Sequence, residues 1–157
     1  MTQISDAYNA FIQKIEDTVG KSALPVNDAY VHLPDSIDPD LNPETLLRKG
    51  FAVDFGPAAQ VSQSTKIRSI QDRVFALLLI REVTTVRSNT SGIQSVKLDL
   101  IEDSETIRTA FCNDHTLGGT VADVEWLSDD GIPAYLGDKK KFFVLTVNYA
   151  VRLDIRQ

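Results

Sequence analysis

The chain opens on a helical pattern. Ile4, Ala7, Tyr8, Phe11, Ile12, Ile15 and Val19 recur at intervals of three and four, with Gln3, Asp6, Gln13, Lys14, Glu16 and Asp17 on the other faces. This predicts an amphipathic α-helix over 3–19 that lays one stripe on a core, and Gly20 supplies its stop. A partner-binding helix would print the same pattern; packing on the chain's own core is the expected role. Pro25, Pro34 and Pro39 punctuate 21–42, and Pro43 follows at the boundary. Proline fixes φ and biases its predecessor to extended backbone, so 21–42 is expected to be a long extended connection with a short edge strand at Ala29–Leu33. Asn42-Pro43-Glu44 reads as a helix start, and that short helix ends at Gly50.

Phe51, Val53 and Phe55 alternate with Ala52 and Asp54, which predicts a strand that Gly56-Pro57 ends. Residues 56–72 show no period and are expected to form a mobile loop. Arg73–Arg87 reads as a long strand: Val74–Ile80 is continuously apolar and so buried on both faces, and alternation follows. Ser91-Gly92-Ile93-Gln94 fits a capping box, and the helix after it carries Ile93, Val96, Leu100, Ile107 and Phe111 on one stripe, with Leu98 off it. Two strands close the chain, about Thr120–Leu127 and Lys141–Arg156, joined through Asp129-Asp130-Gly131. In the last, Phe143, Leu145, Val147, Tyr149, Val151, Leu153 and Ile155 all point one way.

The order is helix, short helix, strand, strand, helix, strand, strand. It predicts an α+β fold: an antiparallel sheet of about four main strands with the N-terminal helix and a second long helix on one face. Each 15-residue strand would reach about 50 Å, whereas a domain of this length is about 40 Å across. Either the strands bend sharply or their ends project, and projecting ends tend to be covered by a neighbour. On that reading Leu153 and Ile155 are exposed in an isolated monomer.

Composition narrows the classes. At 157 residues, 43% apolar and 24% charged, the chain suits a single domain over 1–157 and excludes a disordered or disulfide-stapled class. Its one Cys allows no intrachain disulfide and no multi-cysteine metal site. The net charge of −6 opposes a broad phosphate-binding surface. The first residues lack a basic start and an apolar run, and the longest apolar run is seven residues, Val74–Ile80. A soluble protein made in a cytoplasm is expected. Asn89-Thr90-Ser91 matches a glycosylation sequon, taken as chance in that compartment.

Candidate chemistry is sparse. Cys112, Asn113, Asp114 and His115 include the residue types of nucleophilic catalysis, but adjacent residues cannot converge on one point. They are expected to act as helix-end caps, with Cys112 a small buried residue and His32 a surface one. Gly118-Gly119 lacks the following Lys and helix of a phosphate loop and reads as a turn. Residues 113–138 hold Asp114, Asp123, Glu125, Asp129, Asp130 and Asp138 with no Lys or Arg. Asp123 and Glu125, two apart on a strand, share a face, yet two carboxylates do not define a metal site. Lys66, Arg68 and Arg73 form a basic island without the interleaved aromatics that stack single strands. No catalytic, cofactor-binding or metal residue is assigned, and no cofactor is expected.

The opening helix Ile4–Val19, the strand Phe51-Ala52-Val53-Asp54-Phe55, the long loop 56–72 leading into Arg73-Val74-Phe75-Ala76-Leu77-Leu78-Leu79, and the final strand together give an organisation that resembles the tail terminator (tail completion) proteins of tailed bacteriophages. The resemblance lies in order and length of elements across nearly the whole chain. It implies a structural virion protein of the tail or neck, not an enzyme, that forms a hexameric ring on the tail tube, ends tube polymerisation and presents a face to the head-completion or connector protein. Double-stranded DNA passes through such a ring without specific binding, and no membrane is involved. Six copies would carry about −36, compatible with DNA that must slide. In this reading Lys66, Arg68 and Arg73 on one side and Asp123, Glu125, Asp129 and Asp130 on the other are the candidate tube or subunit interfaces. Two other classes stay open: another neck protein, such as a stopper or connector, and a small cytosolic α+β ligand-binding domain or enzyme.

Overall fold

Two strands of equal length form the centre of the sheet. The computed structural model describes residues 3–25, 28–33, 49–60, 68–82, 90–131, 135–136 and 142–156. Within them run α1 (Gln3–Val19), β1 (Val31–His32), β2 (Lys49–Gln60), β3 (Arg68–Glu82), α2 (Thr90–Asn113), β4 (Asp123–Asp129), β5 (Tyr135–Leu136) and β6 (Phe142–Arg156). β3 and β6 pair antiparallel over their full 15 residues, from Arg68 opposite Arg156 to Glu82 opposite Phe142. β2 flanks β3 and β4 flanks β6, both antiparallel. The sheet order is β1-β2-β3-β6-β4, with β5 pairing β6 off that path.

The fold is α+β. The four main strands expected from the pattern are β2, β3, β6 and β4. β1 adds a fifth to the path and pairs parallel with β2, so the sheet is mixed rather than wholly antiparallel.

Both helices lie on one face of it. α1 turns Ala7, Phe11, Ile12, Ile15 and Val19 inward, and α2 turns Val96, Leu100, Ile107 and Phe111 inward. They meet Phe51 of β2, Phe75, Leu77 and Leu79 of β3, and the alternate residues Phe143 to Leu153 of β6. Phe11 is the hub: its ring stacks on Phe111 at 4.6 Å and meets Phe75 and Tyr149 edge-on at 5.2 and 5.7 Å. Each large side chain of this kind contributes about 1.5–3 kcal/mol on burial. A smaller cluster of Ile80, Phe142 and Val144 forms on the opposite face, with Leu33 and Leu78 against it.

Several sequence-based boundaries move. Residues 56–60 and 68–72, expected in a mobile loop, are strand. Gly56-Pro57 does not end β2 but makes a β-bulge, after which pairing resumes with Ala58 opposite Arg73. An edge strand tolerates proline there, because no inner ladder needs its missing N–H. β3 starts five residues before Arg73, and the expected continuation over 83–87 lies outside the described residues. Most of the connection at 34–48, including the helix start Asn42-Pro43-Glu44, also lies outside them, and Lys49-Gly50, expected to end that helix, begins β2. β4 is displaced from Thr120–Leu127 to Asp123–Asp129.

Neither long strand has an unpaired end in the β3–β6 ladder, since each pairs with the other over its full length. Leu153, expected in solvent, is 1% exposed within the main core. The turn between α2 and β4 uses the left-handed backbone of Gly118 (φ 68°) and Gly119 (φ 88°). It is a turn, as read from the sequence.

Candidate functional site

Most of the two groups of candidate interface residues lie on β3 and β4, two strands of one sheet that are not paired with each other. β6 lies between them: its Arg152 is opposite Asp72 of β3 on one side and Asp123 of β4 on the other. Arg152 donates from Nε to Asp72 Oδ1 at 2.9 Å and from Nη2 to Asp72 Oδ2 at 3.2 Å. This two-pronged pair holds the guanidinium charge more firmly than usual, and Asp123 and Glu125 add to that. The expected shared face of Asp123 and Glu125 is present, and Arg152, bonded to Asp72, lies near it. Asp123 also bonds His115 Nδ1 at 3.1 Å. Among the described residues no group of three His, Cys, Asp or Glu side chains is placed to hold a metal ion.

The other candidates disperse. Arg73 donates from Nη1 to the Gly56 carbonyl at 3.1 Å, tying down the bulge of β2. Arg68 enters β3 through its pairing with Arg156, and Lys66 lies outside the described residues. Asp129 accepts from the Gly131 N–H at 3.0 Å, and the Asp130 N–H donates to the Thr146 carbonyl at 3.0 Å, so both shape the turn after β4. Asp114 caps as expected: Oδ1 accepts from the Gly118 N–H at 3.0 Å and Oδ2 from Lys14 Nζ at 3.3 Å. The Gly118 bond, aided by Lys14, holds its carboxyl below the ordinary range.

Two sequence readings reverse. Cys112 is exposed, because it follows Phe111 around the helix and so leaves the buried stripe. His32 is half-buried, its ring stacked on Phe51 at 5.0 Å, with Nε2 enclosed and without a hydrogen-bond partner among the described residues.

A second polar set was not legible in the sequence. Tyr30 donates to Asp103 Oδ2 at 2.6 Å, Lys49 Nζ lies 3.9 Å from the same oxygen, and Arg81 pairs with Asp99. Burial and Asp103 raise the Tyr30 hydroxyl pKa well above its usual value. These residues fasten α2 over the ends of β2 and β3. Beside them runs a groove of about 540 Å³ whose lining includes Glu16, Asp17, Lys21, Tyr30 and His32. Burial lowers the His32 pKa, against the pull of Glu16. The groove's walls come from the end of α1 and from β1, which touch only through the fold, so no local motif announces it.

Among the described residues no helix is long and apolar enough to cross a membrane. Compared with known proteins, the chain matches no protein-family model and no curated protein.

Proposed function

We propose that this chain is a structural subunit of a phage tail, assembling into a ring of six copies that caps the tail tube, ends its polymerisation and offers an attachment face to the head connector. The observation that supports the reading is architectural: an N-terminal helix and one long helix on a single face of an antiparallel β2-β3-β6-β4 core, in the element order that carries the resemblance. Its partners are further copies of itself, the tail tube protein and a head-completion protein, with double-stranded DNA passing through. Its place is the virion.

Light scattering over a concentration series tests this, alone and with purified tail tubes. The expected species is six times 17.4 kDa, about 104 kDa, in solution or on tube ends. A stable two-fold dimer that leaves tubes uncapped overturns it. Localisation by electron microscopy separates a terminator from another neck protein.

The groove beside His32 favours a second reading, a small ligand-binding domain. Shifts of the His32 ring resonances on addition of a small-molecule library, with no assembly at any concentration, would replace the ring with that reading.

A further inference from the structure

The borders of the sheet are open where its middle is paired. β1 covers β2 only at Gly50 and Phe51. Among the described residues nothing pairs with the outer side of β2 from Val53 to Gln60, or with the outer side of β4. Each border carries a large apolar residue about half in solvent: Phe55, 50% exposed, and Leu127, 45% exposed. They stand at opposite ends of one row. Phe55 is opposite Phe75, Phe75 opposite Tyr149, and Tyr149 opposite Trp126. Leu127 is the extra residue of the bulge after Trp126, and the β2 bulge at Gly56-Pro57 follows Phe55 on the other side of that row. Because β2, β3, β6 and β4 alternate in direction, β4 of one copy laid beside β2 of the next makes an antiparallel junction.

We propose that copies of this chain join head to tail across these borders, with Phe55 of one packing on Trp126 and Leu127 of the next. The proposal rests on the ring reading and names its junction. Charge selects it over the symmetrical contacts. With the rows kept level, Asp123, Glu125 and Asp129 come opposite Ala59, Gly56-Pro57 and Val53 of the neighbour, and Asp54 comes opposite Ser128. No two acids meet. A two-fold contact of β4 with β4 centred on Trp126 places Asp123 opposite Asp129 twice, and like charges directly opposite destabilise a strand pair. A two-fold contact of β2 with β2 brings two bulges and two copies of Pro57 together. Pro57 and the bulges also interrupt any regular main-chain ladder, so side chains make this junction. Two different borders meeting is the heterologous geometry, which gives a ring when the rotation between copies closes and an open filament when it does not.

Two single-cysteine proteins test it, Phe55→Cys and Leu127→Cys, each also carrying Cys112→Ser. Both positions are half-exposed, and circular dichroism checks that the folds survive. The proteins are treated with a short bismaleimide separately and mixed, with light scattering on the same samples. The expected result is a covalent mixed dimer from the mixture and its loss when either protein is alone. Self-linked product in place of the mixed one overturns the proposal, as does the absence of mixed product. A six-copy mass without mixed product overturns the junction and leaves the ring; mixed product that never reaches that mass keeps the junction and overturns ring closure.

Discussion

On one face of the sheet Phe75, Leu77, Leu79, Leu145, Val147 and Tyr149 are fully enclosed under two helices. One residue along on the same strands, Ala76, Leu78, Thr146 and Asn148 are only half-buried. The enclosed face carries an aromatic cluster around Phe11, whereas the other has only the smaller Ile80–Phe142–Val144 cluster at one end, with small and polar side chains and the Asp72–Arg152 pair over the rest. Period-two alternation lets a single strand serve both environments. It also means that stability is concentrated on one side, so changes of similar size should differ sharply by face.

The strongest way to break this contrast is Phe11→Ala, expected to cost about 3–5 kcal/mol in chemical denaturation, because it opens a cavity among Phe75, Phe111 and Tyr149. Asn148→Ala on the other face should stay within about 0.5 kcal/mol. Equal losses would show that the bare face carries structure as heavily as the covered one.

Next is the turn that returns the chain from α2 to the sheet. A methyl group added at Gly118 meets nothing within 4 Å, but φ there is 68°. Gly118→Ala should therefore cost about 1–2 kcal/mol through backbone conformation alone, read from the thermal midpoint.

Arg152→Ala sharpens the comparison from the bare side. The pair with Asp72 has good geometry but is about a third exposed. The loss should be about 0.2–1 kcal/mol and shrink in high salt.

The smallest effect is a slope. Burial lowers the His32 pKa below its ordinary 6.5, so the fold holds the neutral ring. That contribution is complete above 6.5 and falls away as pH drops below it, because the unfolded chain then binds the proton more readily. His32→Gln should flatten stability against pH in this window, and an unchanged slope would assign it to other groups.

What the sequence disclosed follows the same division. α1 and β6 were legible because each has one wholly buried face, which prints a period on the chain. The outer half of β2 was not, since Ala58 and Ala59 are exposed and bury nothing that would mark them as strand. β5 has two residues, too few for any period. The shared face of Asp123 and Glu125 could be read from their spacing. Their company could not: Arg152 reaches them through strand pairing, and no local pattern encodes which strands become neighbours. The exposure of Cys112 was recoverable from the stripe that ends on Phe111, whereas the stacking of His32 on Phe51 depends on the parallel pairing of β1 with β2.

The central ladder has a further consequence, for how the chain reaches this state. β3 and β6 are joined by contacts such as Asp72 with Arg152, 80 positions apart, so a large loop must close before the core can form. Topologies dominated by such distant contacts fold slowly. Until β6 docks, β3 has β2 on one side and a bare edge on the other, with Phe75, Leu77 and Leu79 lacking most of their cover. During synthesis that unfinished edge waits for β6 to be made, and it is there that a newly made chain is open to mispairing with another copy.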